Sequence, residues 1–186
     1  MKPETARLKI EELSLTDVRK IHELHALPEI DEFNTLGIPE TIQTTEFLLK
    51  EWIQQQNSIP RKSYIFCITL AESGEFIGLI ALSLGKLNFK IAEVWYKLHP
   101  AYWRQGYATE ALKAIIKFGF NDLGLHRIEA GCAVGNVASI RVLEKAGMKK
   151  EGLKRKVLPI RGEWIDNYFY SILDTDFVEL NLQIQQ

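Results

Sequence analysis

The chain carries its apolar residues at two spacings, and each spacing predicts one type of element. Several short segments hold apolar, β-branched and aromatic residues in runs or in alternation, which is typical of strands. We predict strands at 8–13, 64–70, 76–84, 90–98 and 126–134, and a closing antiparallel pair at 148–159 and 164–174. Apolar residues three and four positions apart predict helices. These helices run from near residue 17 to residue 28, over 41–56, from 110 to about 122, and over 137–146.

The element order is therefore β-α-α-β-β-β-α-β-α-β-β. Such an order predicts an α/β (α+β) fold in which one mixed sheet has helices on both faces. With 186 residues the chain is long enough for one domain with a full core. We place this domain at 7–175 and expect 176–186 to form a polar C-terminal tail.

One stretch, 93–111, joins a strand, a glycine turn and the start of a helix. Pro100 ends the strand because it lacks an N–H, Gly106 permits a tight turn, and Thr109 is the predicted N-cap. Free N–H groups in such a turn, together with the positive end of a helix, can bind a phosphate or pyrophosphate. A single turn of this kind more often only connects two elements.

A longer pattern makes the anion site more specific. The segment 103–108 has the sequence WRQGYA. It resembles the acyl-CoA pyrophosphate loop of the GCN5-related N-acetyltransferases (GNAT family), Gln/Arg-x-x-Gly-x-Gly/Ala, with Gly106 and Ala108 at the small positions. Trp103 stands where the general pattern has Gln or Arg, and a tryptophan there is similar to the RimJ/RimL-type ribosomal-protein N-acetyltransferase branch.

A second segment strengthens this resemblance. Residues 129–148 have the sequence EAGCAVGNVASIRVLEKAGM. This is similar to the second motif of the branch, a strand followed by Asn-x-x-Ser and a short helix, with Met148 in place of the usual aromatic residue. The resemblance covers about 7–175 and implies the GNAT fold, in which the fourth and fifth strands splay apart and the cofactor's pantetheine arm enters the gap.

The resemblance implies an acetyl-CoA-dependent N-acetyltransferase that moves an acetyl group to a primary amine by direct transfer in a ternary complex. A protein N-terminal α-amine, such as that of a ribosomal protein, is one acceptor that the branch implies. The alternatives are a small-molecule amine (an antibiotic, polyamine or amino acid), and a non-catalytic CoA-binding module. Homodimers are common in the branch, so we expect a monomer or a homodimer.

The resemblance also assigns the residues that bind the cofactor. They are Tyr96, Leu98, Arg104, Gln105, Gly106, Tyr107, Ala108, Thr109, Asn136 and Ser139. The loop residues would bind the pyrophosphate mainly through their backbone, and N–H groups near Tyr96 to Leu98 would stabilise the developing oxyanion. Asn136 would cap the following helix and also hold the pantetheine. Other family members often place a tyrosine one turn beyond Ser139, where this chain has Leu143.

The chemistry needs a base for the amine and a donor for the leaving thiolate. We expect Glu93, Glu129 and Ser139 to be catalytic: Glu93 or Glu129 as the base, and Ser139 as a hydrogen-bond donor to the CoA sulfur. His99 and a water relay without a single base are alternatives. Each carboxylate could equally be a solvated strand residue. Cys132 is expected to be structural, because direct transfer needs no covalent nucleophile.

Composition limits the other possibilities. The net charge of −1, from 23 basic and 24 acidic residues, argues against broad binding to DNA or other nucleic acid. The two cysteines lie in apolar runs, and no Cys/His spacing suggests a metal site. No apolar run approaches the roughly 18 residues of a membrane span. We therefore expect a cytoplasmic protein without membrane association.

Two charged segments could bear on the acceptor. An acidic group, formed by Glu29, Asp31, Glu32 and Glu40, would attract a cationic amine or form a solvated loop. A basic group in the closing hairpin would face RNA or an acidic protein, or form a solvated strand face. It comprises Lys149, Lys150, Lys154, Arg155, Lys156 and Arg161.

Overall fold

The computed structural model describes residue 3 and residues 5–184, with side chains to residue 180. Its core is one seven-stranded sheet with the strand order β1-β2-β3-β4-β5-β7-β6. The strands are β1 (Leu8–Glu12), β2 (Ser63–Leu70), β3 (Phe76–Leu84), β4 (Ile91–Leu98), β5 (Arg127–Ala133), β6 (Lys149–Ile160) and β7 (Glu163–Leu173). Only the β4–β5 pair is parallel within this sheet, so the sheet is mixed, as the element order predicted.

Helices cover both faces of the sheet. They are α1 (Val18–His25), α2 (Pro28–Asp31), α3 (Ile42–Gln56), α4 (Tyr107–Asn121), α5 (Val137–Lys145) and α6 (Asp174–Ile184). None of the helices in the described part of the chain is long and apolar enough to span a membrane.

The alternation of side chains along each strand produces two cores, one on each face. Val94 and Leu98 of β4 pack into the larger core, which contains the apolar side of α4 and part of α5. Trp95, between them in sequence, packs into the smaller core under α1 and α3. The face that a β4 residue occupies therefore decides whether it meets the α4–α5 layer or the α1–α3 layer.

The two parallel strands pair over only a short length. The register joins Ile91 to Arg127, Ala92 to Ile128 and Glu93 to Glu129, and it ends there although both strands continue. Beyond Glu93 the strands diverge and leave a gap between their carboxyl ends. This confirms the splayed fourth and fifth strands that the family resemblance implies.

Besides the short helix α2, which the predicted element order lacks, two local expectations differ from the structure. Helix α4 begins at Tyr107 with Gly106 as its N-cap, so Thr109 lies in the first turn and is not the cap. Gly106 takes φ 83°, a left-handed value that glycine adopts without the steric cost of a Cβ, and the helix can therefore start directly after it.

The second difference is α6, which occupies most of the segment expected to be a polar tail. Phe177 of this helix packs on Phe120 of α4, with ring centroids 5.3 Å apart. Polar residues dominate the segment, so its few apolar contacts were not evident from the pattern. Residues 185 and 186 lie outside the described residues.

Candidate active site

The gap between β4 and β5 exposes backbone donors of β4. The N–H of His99, just after the strand, donates to the carbonyl of Ile77 in β3 at 2.8 Å. Successive N–H groups of a strand point to opposite sides, so the N–H groups of Leu98 and Tyr96 point toward the gap. The predicted donors therefore lie on an open strand edge, where a thioester carbonyl could accept from them.

The predicted pyrophosphate loop follows β4 and is held by its own side chains. The indole N–H of Trp103 donates to the carbonyl of Leu98 at 2.6 Å, and the amide of Gln105 donates to the carbonyl of Ala101 at 2.9 Å. Arg104 takes φ 61° and Gly106 takes φ 83°, which turns the chain into α4.

The first turn of α4 completes this anion site. The N–H groups of Tyr107, Ala108 and Thr109 are the first of the helix, and these have no acceptor within the helix itself. They lie at the positive end of the helix dipole. The structure thus brings the six predicted loop residues together at one helix N-terminus, a suitable place for a pyrophosphate.

A clamp that sequence analysis missed holds the loop from the start of the chain. The Arg7 guanidinium forms an ion pair with Glu110 of α4 at 2.5 Å, donates to the carbonyl of Gln105 at 3.2 Å, and lies 4.4 Å from the ring centroid of Tyr107. Thr5 also donates to Glu110 at 2.5 Å. Burial raises the pKa of Glu110, but the hydrogen bonds from Thr5 and Arg7 outweigh it and lower the pKa overall.

On the α4–α5 face, the gap is bordered by a pair of hydroxyls. Asn136 is the N-cap of α5, and its side-chain oxygen accepts from the N–H of Ser139 at 3.0 Å, which is the predicted capping role. The Ser139 hydroxyl lies 2.8 Å from the hydroxyl of Tyr96, which reaches across from β4. Burial raises the pKa of Tyr96, so its hydroxyl stays protonated and can donate. The side-chain role of Tyr96 was not predicted.

Cys132 lies beside this hydroxyl pair but is a poor nucleophile. Its side chain is 4% exposed, and burial raises the pKa of its thiol. Hydrogen bonds from Ser139 and Ile140 offset only part of this rise, so the thiol stays protonated and is a weak nucleophile. This geometry agrees with a structural role.

On the opposite face of the sheet, two carboxylates lie where the strands separate. Glu93 and Glu129 are register partners, so their side chains project together. Arg127 donates to Glu129 at 2.7 Å and also pairs with Glu151. Partial burial, and next the charge of Glu129, raise the pKa of Glu93. Of the two candidates, Glu93 is therefore the one without an ion-pair partner in the described chain, and its raised pKa suits a base.

The same face of the sheet carries a second polar cluster. Lys97 of β4 points its ammonium at the imidazole of His25, 3.5 Å away. Arg161, at the tip of the β6–β7 hairpin, donates to Asp31 of α2 at 2.9 Å. Asp31 and Arg161 thus neutralise each other, whereas the sequence placed them in separate acidic and basic surfaces.

The chain matches one family model closely. Residues 7–149 match the model described as an acetyltransferase (GNAT) domain, which is most of the chain. Among curated proteins, it is 32% identical over 175 residues to the uncharacterized N-acetyltransferase YnaD of Bacillus subtilis, covering 93% of this chain and 97% of YnaD.

Solved structures show the same fold. A GNAT-family acetyltransferase from Bacillus anthracis superposes with a TM-score of 0.81 at 30% identity, covering 94% of this chain and 99% of the other. The spermidine N-acetyltransferase from Vibrio cholerae, in complex with CoA and spermine, has a TM-score of 0.82 at 23% identity, with 94% and 99% of the two chains covered. The chain therefore belongs to the GCN5-related N-acetyltransferase family and is an acetyl-CoA-dependent acyltransferase.

Proposed function

We propose that this protein transfers an acetyl group from acetyl-CoA directly to a primary amine bound in the same complex. One observation carries the proposal: the β4–β5 gap has Glu93 on one face and the Tyr96–Ser139 hydroxyl pair on the other. A base for the amine and a donor for the sulfur thus stand on opposite sides of the place where a thioester would lie.

Binding rests on the loop and the gap. The first turn of α4 would hold the pyrophosphate through backbone N–H groups, and the pantetheine arm would enter between β4 and β5. The N–H groups of Tyr96 and Leu98 would then donate to the carbonyl oxygen and stabilise its negative charge as the amine attacks. Holding both substrates in line could supply much of the rate.

One proton transfer accompanies the bond changes. Glu93 accepts a proton from the amine as the amine nitrogen forms a bond to the acetyl carbon. The carbon–sulfur bond then breaks, and CoA leaves as a thiolate that accepts a hydrogen bond from Ser139, whose oxygen in turn accepts one from Tyr96; the proton on Glu93 passes to solvent. Glu129 stays paired with Arg127 and raises the proton affinity of Glu93 through its charge.

The acceptor has more than one candidate. A protein N-terminal α-amine, such as that of a ribosomal protein, is the acceptor that the RimJ/RimL-type resemblance implies. A small amine is the second candidate. Polyamines are included in this class because a spermidine N-acetyltransferase has the same fold. A cytoplasmic location and a monomeric or homodimeric state stay predictions from the sequence.

Mass spectrometry of the acceptor tests the proposal. Acetyl-CoA would be incubated with the protein and a mixture of N-terminal peptides, polyamines, amino acids and aminoglycosides. We expect one acceptor class to gain a single acetyl group and the protein to release an equal amount of CoA. Transfer through a stable acetylated protein intermediate, trapped on Cys132 or another residue, would contradict the direct mechanism.

A further inference from the structure

Three buried polar atoms lie near the acceptor side of the gap without a hydrogen-bond partner among the described residues. They are Asp31 Oδ1, Asn34 Nδ2 and Asn167 Oδ1. Asp31 is 7% exposed and Asn167 is 5% exposed. Most buried polar groups of proteins are hydrogen-bonded, so a group of unpaired ones calls for an explanation.

The first two atoms belong to one segment, α2 and the turn that follows it. The N–H of Asn34 donates to the carbonyl of Asp31 at 3.1 Å, which fixes the turn after α2. A Cβ added to Gly135, just after β5, would lie 3.2 Å from the ring of Phe33. The ion pair with Arg161 joins the same segment to the β6–β7 hairpin. The segment therefore spans from the end of β5 to the hairpin tip.

The third atom lies on the neighbouring strands. Asn167 of β7 is the register partner of Ala133 in β5, and its amide lies 2.8 Å from where a Cβ on Gly131 would be. Gly131 alternates onto the same face as Glu129, so Asn167 lies on the sheet face that also carries Glu93. A larger residue at position 131 would displace this amide from its observed position.

Lys97 adds unused donors to this group. Within the described chain, its ammonium makes one hydrogen-bond contact, the 3.5 Å contact with His25, although an ammonium carries three N–H groups. Burial lowers the pKa of His25 to about 3, so its imidazole is neutral and accepts from Lys97. Asp31 lies near enough for its charge to act on Lys97, but the two form no direct ion pair.

The unpaired donors and acceptors of this cluster determine which chemical groups a matching ligand must carry. Lys97 and Asn34 need an oxygen that accepts hydrogen bonds, whereas Asp31 and Asn167 need N–H groups. A polyamine offers only donors and cations, so it would leave Lys97 and Asn34 unpaired and would be repelled by Lys97. An amine with a carboxylate or carbonyl oxygen close to it would match both kinds of group.

We infer that this cluster selects an acceptor whose amine lies next to a carboxylate or carbonyl oxygen, with Lys97 binding that oxygen. The inference rests on the proposed acetyl transfer and narrows its acceptor. An α-amino acid and a peptide N-terminus share this chemistry. Lys97 is then a specificity-determining residue, because the oxygen it binds takes no part in the bond changes of acetyl transfer.

Matched acceptors test the inference. The set is phenylalanine, phenylalaninamide, a phenylalanine-initiated tripeptide and phenethylamine, followed by alanine, an alanine-initiated tripeptide, ethylamine and spermidine. Both kcat/KM for acetylation and binding to the CoA-loaded protein by calorimetry are measured. We expect acceptors with the oxygen to exceed the matched bare amines by at least about tenfold in kcat/KM. Comparison of the free amino acid with the tripeptide shows whether the preferred acceptor is an α-amino acid or a peptide N-terminus.

Variants connect the preference to Lys97. Lys97→Met should raise KM for the oxygen-bearing acceptors by about tenfold or more with little change in kcat, whereas the bare amines, which Lys97 repels, should be acetylated no less well than by the wild type. Lys97→Arg should restore part of the preference. Lys113→Met, on the exposed side of α4, removes the same charge and should change nothing.

The outcomes separate the two proposals. Preference for spermidine or bare amines, or an equal loss for all acceptors in Lys97→Met, would overturn the inference and leave acetyl transfer intact. No acetylation of any amine would reject the proposed function, and calorimetry would then decide the inference. Binding of oxygen-bearing amines in preference to bare ones would support it, and failure of all of them to bind would overturn it.

Discussion

At the scale of single residues, the site depends on a difference between two neighbouring carboxylates. Glu129 is held by Arg127, whereas Glu93 has its pKa raised by partial burial and by Glu129. Two glutamates paired in the register therefore have different environments, and only Glu129 is held in an ion pair. The sequence named both as candidates but could not rank them by environment, because Arg127, Glu151 and the β4–β5 register come together only in the fold.

We predict that Glu93→Gln lowers kcat by about 10²- to 10⁴-fold at neutral pH, because the amide keeps the shape but cannot accept a proton. The wild-type rate should fall as pH decreases through the raised pKa of Glu93, above its ordinary 4.5. A pH profile of kcat measures both effects. Glu129→Gln is the control: it should keep activity and shift the acid limb to lower pH. An unchanged kcat in Glu93→Gln would reject Glu93 as the base.

A second prediction at this scale concerns the stability cost of Lys97. Burial lowers its pKa from 10.5 to about 8, so the folded protein holds an ammonium that is poorly solvated. Lys97→Met should raise the free energy of unfolding by up to about 3 kcal/mol at pH 7, since one pKa unit corresponds to about 1.4 kcal/mol.

The pH dependence of that gain has a definite sign. Between about 8 and 10.5 the unfolded chain binds the Lys97 proton and the folded chain does not, so wild-type stability rises with pH in this window. The advantage of Lys97→Met should therefore be largest below pH 8 and shrink above it. Urea unfolding at several pH values measures this. A constant difference across the window would contradict the burial of the charge.

At the scale of elements, the loop before α4 shows which features the local sequence pattern predicts and which it does not. The strand, the turn and the helix were predicted at about their observed places, because Pro100 and Gly106 have strong local preferences. The N-cap was predicted three residues too late, at Thr109. Threonine is a good N-cap in general, but the left-handed turn at Gly106 starts the helix earlier.

Gly106→Glu should weaken acetyl-CoA binding by at least about 100-fold, because it places a carboxylate at the anion site and forces a left-handed φ on a residue with a Cβ. Gly124→Glu is the matched control: it has φ 61°, nothing lies within 4 Å of its added Cβ, and it follows the far end of α4. Calorimetry with acetyl-CoA, and circular dichroism for the fold, compare the two. Equal affinities in both variants would reject the loop assignment.

Arg7 is a further test at the scale of elements, since it joins the start of β1 to the first turn of α4. Without Arg7, the Glu110 carboxylate would face the bound pyrophosphate unneutralised. We predict that Arg7→Met raises the KM for acetyl-CoA by about tenfold. The double variant, with Arg7→Met and Glu110→Gln, should have a KM close to that of the wild type. S-acetyl-pantetheine, which lacks the pyrophosphate, should be used equally well by all of these variants. An equal loss of activity with acetyl-CoA and with S-acetyl-pantetheine would show that Arg7 only supports the fold.

Among the features that the sequence did not reveal are this clamp and helix α6. Arg7 and Glu110 are 103 residues apart, and no periodicity links them. The segment 174–184 is largely polar, so its helix depends on contacts such as Phe177 on Phe120. Local propensity predicts neither feature, since both arise from tertiary contacts.

At the scale of the whole molecule, the divergence of β4 and β5 organises the function. The sheet brings β4 and β5 side by side in parallel although α4 separates them in sequence, and the pairing stops at Glu93 and Glu129. Alternation along β4 then places Glu93 and Lys97 on one face and Tyr96 on the other. Strand pattern alone predicted the strands and the mixed sheet, whereas the place where pairing ends came only from the family resemblance and the structure.

The most direct test of this arrangement is a crystal structure of the protein with CoA. We predict that the pyrophosphate lies on the first turn of α4, and that the sulfur lies in the gap within about 4 Å of the Ser139 hydroxyl, on the face opposite Lys97. A pyrophosphate bound elsewhere, or a pantetheine arm that stays outside the β4–β5 gap, would contradict the account.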